Sequence, residues 1–492
     1  MPPLKRSLLR ALTLASLLLA SLTAYHLAYT VGVARRAALE RTRLAPFHGV
    51  RAPPAYKDVA AYALVSLPRL GRLVRTGTAR YPVRANAARL EGFHEDLQFS
   101  AVGNRFKRSD FFAENFYIWV QSPAADFVLT TRLSFYGRDA ANVLPWFTLC
   151  TSPSKDADAA TWSLPSDFER RVRRHAPGDA RVAVADGLGE LYFEVVEPLR
   201  KWVVAYRGVL ERASAGGATE RAHVDARFEL DLSPDNLFFF NVDVSELTMA
   251  RAMAVNEWDA AFWRSLVSQN QERYASRAAS GSGYVAFLPD AAPGSAPRTN
   301  LSLPAVVGSR DHNFGVRNWR FMHAYIWWPP TNLDQPLTVD GVKYSAFVGT
   351  FVEYGRVFSN LVVGGLVSDA GDVLKFSAAT PMDDIAREWA RVPSPGKHHA
   401  VGDALVPAEL AFTVALGESA EFALDCELVR GKGAGLWRHV FWLQDGDFEI
   451  HEALTRFTFK VRRWGESAVL SRATAVGMFE FGRNVVGLDD AA

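Results

Sequence analysis

The sequence predicts an all-β fold of two antiparallel β-barrels, with an N-terminal transmembrane helix and a few peripheral helices. Three observations lead there. Apolar and polar residues alternate with a period of two over much of the chain after residue 90, as half-buried strands require. An uncharged apolar run lies near the N-terminus, and a Gly/Ser-rich and then Pro-rich passage divides the strand-forming region near its middle.

From Ala11 to Ala34 the chain carries no formally charged residue and one histidine, His26. That is enough helix to cross a bilayer and longer than the apolar core of a signal peptide. A cleaved signal peptide is the alternative. Lys5, Arg6 and Arg10 precede the run, and Arg35, Arg36, Arg41 and Arg43 follow it. Positive charge on both sides leaves the membrane orientation unassigned. Residues 1–36 are therefore read as a single-pass membrane anchor and 37–89 as a juxtamembrane, partly helical segment. Within the latter, Val59 to Val74 is apolar but interrupted by Pro68 and Arg69. It suits an amphipathic segment on a bilayer surface or packing against the first barrel.

Strand patterns follow. Phe127, Leu129, Leu133 and Phe135 share one face, with Arg132 and Ser134 opposite; Val224, Ala226, Phe228, Leu230 and Leu232 alternate with charged residues. Ala420, Phe422, Leu424, Cys426 and Leu428 repeat the pattern, as do Phe457, Phe459 and Val461. Glu257 to Arg277 lacks Gly and Pro and spaces Trp258, Phe262 and Leu266 by four, which predicts an amphipathic helix. Ser280-Gly281-Ser282-Gly283 and then Pro289, Pro293, Pro297 and Pro304 read as a linker. The division is thus 90–285 for a first barrel, 286–305 for a Pro-rich linker and 306–492 for a second barrel.

Composition excludes several classes. A formal net charge of +2 gives no reason to invoke nucleic acid. Cys150 and Cys426 allow at most one disulfide, and their apolar surroundings suit buried free thiols. No zinc-ligand spacing, Walker phosphate loop or Gly-x-Ser-x-Gly elbow occurs. His398-His399 sits in a Pro/Gly loop, and Gly431-Lys432-Gly433-Ala434-Gly435 reads as a hairpin turn. The 32 Phe, 14 Tyr and 13 Trp fit sheet cores and also pockets for greasy ligands.

The densest chemistry lies at Gly308-Ser309-Arg310-Asp311-His312-Asn313-Phe314-Gly315-Val316-Arg317-Asn318-Trp319. A strand over 317–328 would align Arg317, Trp319, Phe321, His323, Tyr325 and Trp327 on one face. That face is an aromatic wall with an arginine at one end and a histidine in the middle. It suits an apolar or polyene-like ligand, though Arg310, Asp311 and Arg317 could equally form an ion-pair network and His323 a hydrogen-bonded core histidine.

This segment resembles the Asp-His-x-x-Gly-x-x-x-x-Trp type of motif of the hydroxyneurosporene synthase (carotenoid 1,2-hydratase) and AttH superfamily, with three residues rather than four between Gly315 and Trp319. Glu114-Asn115-Phe116-Tyr117 resembles its first-barrel entry, Glu197-Pro198-Leu199-Arg200-Lys201-Trp202 the Glu-Pro-x-x-x-Trp of its uncharacterised branches, and Val476-Gly477-Met478-Phe479-Glu480-Phe481-Gly482 its closing strand. The resemblance spans about residues 90 to 485 and implies two lipocalin-like barrels, a pocket within or between them, and no metal or organic cofactor. The expected ligand is an apolar, unsaturated isoprenoid or lipid, which the protein would hydrate, isomerise or cyclise by acid–base chemistry. Asp311 is the first choice of acid and Glu480 the second, with His312 or His323 holding a water or acting as base. Arg310, Arg317, Trp319, Phe321, Tyr325, Trp327, Glu114 and Tyr117 are the expected ligand contacts. A lipid-binding or lipid-transfer protein without chemistry would use the same pocket.

Overall fold

A computed structural model describes residues 12–28, 31–32, 54–76 and most of 108–484. Within that last range it leaves out 139–141, 153–159, 166–170, 173–179, 214–218, 240–243, 268–269, 289–298, 393–403, 418–420, 431–436 and 444–445. The expected turns at His398-His399 and Gly431–Gly435, with Pro289, Pro293 and Pro297, lie outside the described residues.

Among the described residues four helices precede or interrupt the strands: α1 (12–28), α2 (Ala55–Thr76), α3 (Glu246–Ala254) and α4 (Ala260–Val267). Among the described residues no helix is long and apolar enough to cross a membrane. The ends of the expected span, on either side of α1, fall outside them. Helix α2 packs through Ala61 and Tyr62, whose hydroxyl donates to Glu246 Oε2 at 2.9 Å, while Lys57 Nζ donates to the Asn256 carbonyl at 2.8 Å.

The first sheet holds β1 (Phe112–Ser122), β2 (Phe127–Tyr136), β3 (Asn142–Thr151), β4 (Ala160–Ser163), β5 (Arg171–Val172) and β6 (Arg181–Ala185). It continues with β7 (Gly189–Glu197), β8 (Lys201–Ala213), β9 (Thr219–Phe239), β10 (Asn270–Leu288), β11 (Thr299–Leu303) and β12 (Val307–Val316). Its order runs β10-β12-β1-β2-β3-β4-β8, and β9 pairs with both β8 and β10. The sheet therefore curls back on itself, but among the described residues only the pair Ser163↔Glu211 joins β4 to β8.

The second sheet holds β13 (Met322–Val339), β14 (Val342–Tyr354), β15 (Phe358–Val367), β16 (Val373–Ala379) and β17 (Ala386–Val392). It continues with β18 (Ala404–Leu416), β19 (Phe422–Arg430), β20 (Trp437–Leu443), β21 (Gly446–Arg463) and β22 (Val469–Asn484). Pairing of β16 with β18 closes the ring β13-β14-β15-β16-β18-β19-β21-β22. One sheet is thus a closed eight-strand barrel and the other a tightly curled one held at its narrowest joint by a single pair.

Alternation sorts the side chains as the sequence predicts. Phe127, Leu129, Leu133 and Phe135 of β2 meet Val224, Ala226, Phe228, Leu230 and Leu232 of β9 in the first core. Phe422, Leu424, Cys426 and Leu428 of β19 meet Phe457, Phe459 and Val461 of β21 in the second. Each Val, Leu or Phe among them taken out of water stabilises the fold by roughly 1.5–3 kcal/mol. Cys150 and Cys426 are free and buried. A third apolar cluster lies between the sheets, built from the outward residues Tyr117 and Trp119 of β1, Tyr325 and Trp327 of β13, and Phe448 and Ile450 of β21.

Three expectations change. Strand β12, with the whole Arg-Asp-His motif, pairs with β1 and β10 in the first sheet, so the division between sheets falls after Val316. Gly308 permits this close fit, because a Cβ there would run into the Trp119 carbonyl oxygen. Secondly, 317–328 is not one strand. Arg317 N–H donates to the Phe111 carbonyl at 2.8 Å, and a 3-10 turn at Trp319–Phe321 follows, closed by Phe321 N–H on the Asn318 carbonyl. Alternation begins only at Met322, because the chain crosses from one sheet to the other here. Thirdly, the helix expected over 257–277 ends at Val267, and Asn270 onward is strand. The ladder bonds that β10 makes with β9 and β12 outweigh the local helical spacing.

Candidate functional site between the sheets

Strand β12 presents the motif on two faces. Its register with β1 sets His312 opposite Phe116 and Arg310 opposite Ile118, both residues of the first core. His312, Arg310 and Glu114 accordingly point into the core of the first sheet. There His312 Nε2 lies 3.0 Å from Glu114 Oε1, both side chains wholly buried. The imidazole stacks on Phe116 at 4.2 Å, and the Arg310 guanidinium lies 4.4 Å from the Trp202 ring centre. Asp311 and Asn313 take the opposite face, towards the second sheet. Adjacency in sequence therefore separates Asp311 from both Arg310 and His312, as a pleated strand demands.

The outward faces build two facing rows. Register aligns Asp311 of β12, Tyr117 of β1, Arg132 of β2 and Trp146 of β3 across the first sheet. Across the second sheet it aligns Trp327 of β13, Glu480 of β22 and Glu452 of β21. Arg132 donates to Glu480 Oε2 at 2.9 Å, and the Tyr325 hydroxyl donates to Glu480 Oε1. Thr130 Oγ1 donates to Glu452 Oε2 at 2.8 Å, and the Tyr117 hydroxyl is turned towards Glu452. Tyr117 and Trp327 meet edge to face at 5.1 Å between ring centres. The Arg132 guanidinium lies between the rings of Trp146, at 4.3 Å, and Tyr117, at 5.2 Å.

All these polar groups are buried. Burial pushes the Tyr117 and Tyr325 hydroxyls well above the usual phenol range, and the neighbouring Glu452 and Glu480 push them further. Both phenols therefore stay protonated, and Tyr325 donates to Glu480. Burial works against the charge on Arg132, but Glu480 more than offsets it, so the guanidinium stays protonated.

At one end of the rows Asn115 Nδ2 donates to Asn313 Oδ1 at 2.7 Å, and the Tyr136 hydroxyl donates to Asn115 Oδ1 at 2.9 Å. Arg317 reaches Asn313 Oδ1 at 3.5 Å and lies 4.6 Å over the Trp319 ring. Trp319 in turn packs edge to face on Phe448, on which Tyr325 stacks. Trp319, Tyr325 and Trp327, with Phe321 at the margin, do gather in one place, although the turn rather than one strand face brings them there. His323 does not join them. It sits half-buried at a break in the β13–β14 register, beside Gly355, and burial alone lowers its pKa.

A second acid–histidine pair lies on the other face of β21. Glu449 accepts from Arg483 Nε, and its Oε1 lies 3.4 Å from His451 Nε2. Burial opposes the charge on Glu449, but His451 and Arg483 outweigh it and hold the carboxyl down at about 2.

Sequence reasoning named Asp311, Tyr117, Tyr325, Trp327 and Glu480 in this region but missed Arg132, Trp146 and Glu452. Arg132 was visible as a lone cation opposite an apolar strand face. Glu452 shares the face of Phe448 and Ile450, a pattern that reads as an ordinary strand until the second sheet is placed against the first.

No family model matches the chain, and no curated protein matches it. Among solved structures, the crystal structure of CghA aligns over 76% of this chain and 88% of its own, at 12% identity and a TM-score of 0.42. CghA with Sch210972 aligns over 79% and 98%, at 11% identity and a TM-score of 0.41. Kievitone hydratase from Nectria haematococca aligns over 77% and 92%, at 9% identity and a TM-score of 0.37. At such TM-scores these likenesses carry no argument.

Proposed function

We propose that the protein binds an apolar, unsaturated ligand of isoprenoid or lipid type at the seam between the sheets and moves a proton on it, giving hydration, isomerisation or cyclisation. One observation carries this reading: two facing rows bring Asp311, Tyr117 and Arg132 against Glu480 and Glu452, dry and walled by Trp146 and Trp327. Acids in a dry aromatic setting suit protonation of a double bond. The resulting cation would be stabilised by a ring face such as that of Trp327. The Glu114–His312 pair is made within the first sheet and acts as structure in this reading.

Membrane tethering belongs to the same proposal. It rests on the apolar run Ala11 to Ala34 and on α1, where Leu14 is 68% and Leu19 67% exposed. A tether would hold the seam near a bilayer that stores such ligands.

The test is untargeted mass spectrometry of lipids that co-purify with the wild-type protein and with Trp327→Leu. Incubation of the recovered lipid with wild type and Glu480→Gln follows. The expected result is a retained lipid that wild type converts, either with gain of one water or to an isomer, and that Glu480→Gln converts far more slowly. A lipid retained and never converted would leave a carrier. No retained lipid would end the reading.

A further inference from the structure

The row next to the acids carries hydrogen-bond donors of a different kind. Along β1 the outward residues run Tyr117, Trp119 and Gln121, and along β12 Asp311 is followed outward by Ser309. Register sets Trp119 directly opposite Ser309, which brings their Cβ atoms about 4.5–5.5 Å apart on one face. Thr130 of β2 flanks Trp119 on its other side. This row lies two residues along the strands, roughly 7 Å, from the row of Asp311, Tyr117 and Arg132. Contacts to the second sheet fix it on both sides. Thr130 Oγ1 donates to Glu452 Oε2 at 2.8 Å, and Gln121 Nε2 donates to the Val476 carbonyl at 2.9 Å.

Trp119 is 2% exposed, Ser309 0% and Arg132 6%. Among the described residues, Trp119 Nε1, Ser309 Oγ and Arg132 Nε have no hydrogen-bond partner. Buried donors nearly always have one, because a donor removed from water and left unpaired destabilises the fold. Here three of them stand at neighbouring positions of one face, inside the apolar cluster between the sheets.

Their chemistry selects the partner. An indole or guanidinium N–H donates and cannot accept, so the partner is an oxygen with lone pairs to offer. A ligand carboxylate would add negative charge beside Asp311, Glu452 and Glu480, and like charges oppose its ionised form. A ligand hydroxyl would bring an O–H of its own, which of the three groups only Ser309 can accept. A carbonyl oxygen accepts two hydrogen bonds and brings neither a donor nor a charge.

We infer that the Trp119–Ser309 row is a subsite for a neutral carbonyl oxygen of the ligand. The ligand class thereby narrows to an unsaturated isoprenoid or lipid that carries a ketone, aldehyde or ester. This deepens the ligand reading above and rests on it. Arg132 Nε stands at the edge of the subsite nearest the acids, while the same guanidinium holds Glu480. The carbonyl fixes which end of the ligand lies at this row, and so sets the carbon chain beside it against the row of Glu480. No bond forms or breaks at the subsite.

Binding of four probes to the full chain tests this: farnesylacetone, which is a neutral isoprenoid ketone, the alcohol made by reducing it, a carboxylic acid of matching length and the matching hydrocarbon. The ketone should bind most tightly of the four. Trp119→Phe, which keeps a ring and removes the N–H, and Ser309→Ala should each weaken the ketone by about 3–10-fold and leave the hydrocarbon unchanged. The infrared C=O stretch of carbonyl-labelled ketone should lie lower in wild type than in either variant, as hydrogen bonding to that oxygen requires. The ligand-free urea midpoint of Ser309→Ala should not fall, because no hydrogen bond within the protein is lost. Ser309→Ala decides the matter alone if Trp119→Phe folds poorly. Tighter binding of the acid or the alcohol, or an equal effect of the variants on ketone and hydrocarbon, overturns the carbonyl subsite and leaves the apolar seam standing. A marked fall in the Ser309→Ala midpoint overturns it too, since the hydroxyl would then serve the fold. Binding of none of the four overturns the seam reading and this subsite with it.

Discussion

The two faces of β12 meet different fates. On the inner face, His312 and Arg310 find Glu114, Phe116 and Trp202 within their own sheet, so the ladder register alone sets their geometry. On the outer face, the row that contains Asp311 and Tyr117 is completed by Arg132, whose carboxylate partner comes from the second sheet. The inner cluster is built within one sheet. The outer one depends on how two sheets sit against each other. A residue's place in a motif is thus a weaker guide to its role than the face it occupies.

The largest effect should come from Arg132→Met, which strands Glu480 without its guanidinium. Removing one partner of a buried pair costs about 3–5 kcal/mol, read as a lower urea midpoint. Adding Glu480→Gln should recover much of the loss. A simple sum of the two single effects would show that the pair is not coupled.

His312→Ala tests the inner face. Loss of the packed ring and of the Glu114 partner should destabilise by about 2–4 kcal/mol, with ligand retention and conversion per folded molecule unchanged. A drop in conversion at unchanged stability would break the separation between the two faces.

Acid unfolding sharpens the contrast within β21, whose outer face carries Glu452 and inner face Glu449. The Glu449 carboxyl falls from 4.5 to about 2 on folding. Its contribution is therefore complete above pH 4.5 and is lost as pH falls from there towards 2, on the order of 2–3 kcal/mol. Urea midpoints at neutral and acid pH should show this fall in wild type and a smaller one in Glu449→Gln.

The smallest effect is expected from His323→Ala. Its ring is half-buried, apart from both clusters, and mostly neutral at pH 7 because burial lowers its pKa. Stability should change by about 1 kcal/mol or less and conversion not at all. A clear loss of conversion would bring His323 back into the chemistry.

Much of the fold was legible because a strand with one buried face writes a period of two into its sequence. Phe127 to Phe135 and Phe422 to Leu428 could be assigned to cores for that reason alone. The passage from Glu257 to Arg277 misled beyond Val267 because helical spacing is local, while the partners that make β10 a strand, β9 and β12, lie elsewhere in the chain. The aromatic residues after Arg317 were found, but their shared face was not. A 3-10 turn resets alternation without any Gly or Pro to announce it.

By itself the sequence determined the strand character, the density of charged and aromatic residues around the Arg-Asp-His segment, and the two cysteines in strand-like apolar surroundings. Each follows from composition or from periodicity along one strand. Tertiary structure alone decided that Asp311 and His312 serve different clusters, that β12 belongs to the first sheet, and that Arg132 and Glu452 are central. Those facts depend on register between strands and on the meeting of two sheets. Arg132 and Glu480 are 348 positions apart along the chain, and no local pattern encodes a contact at that range.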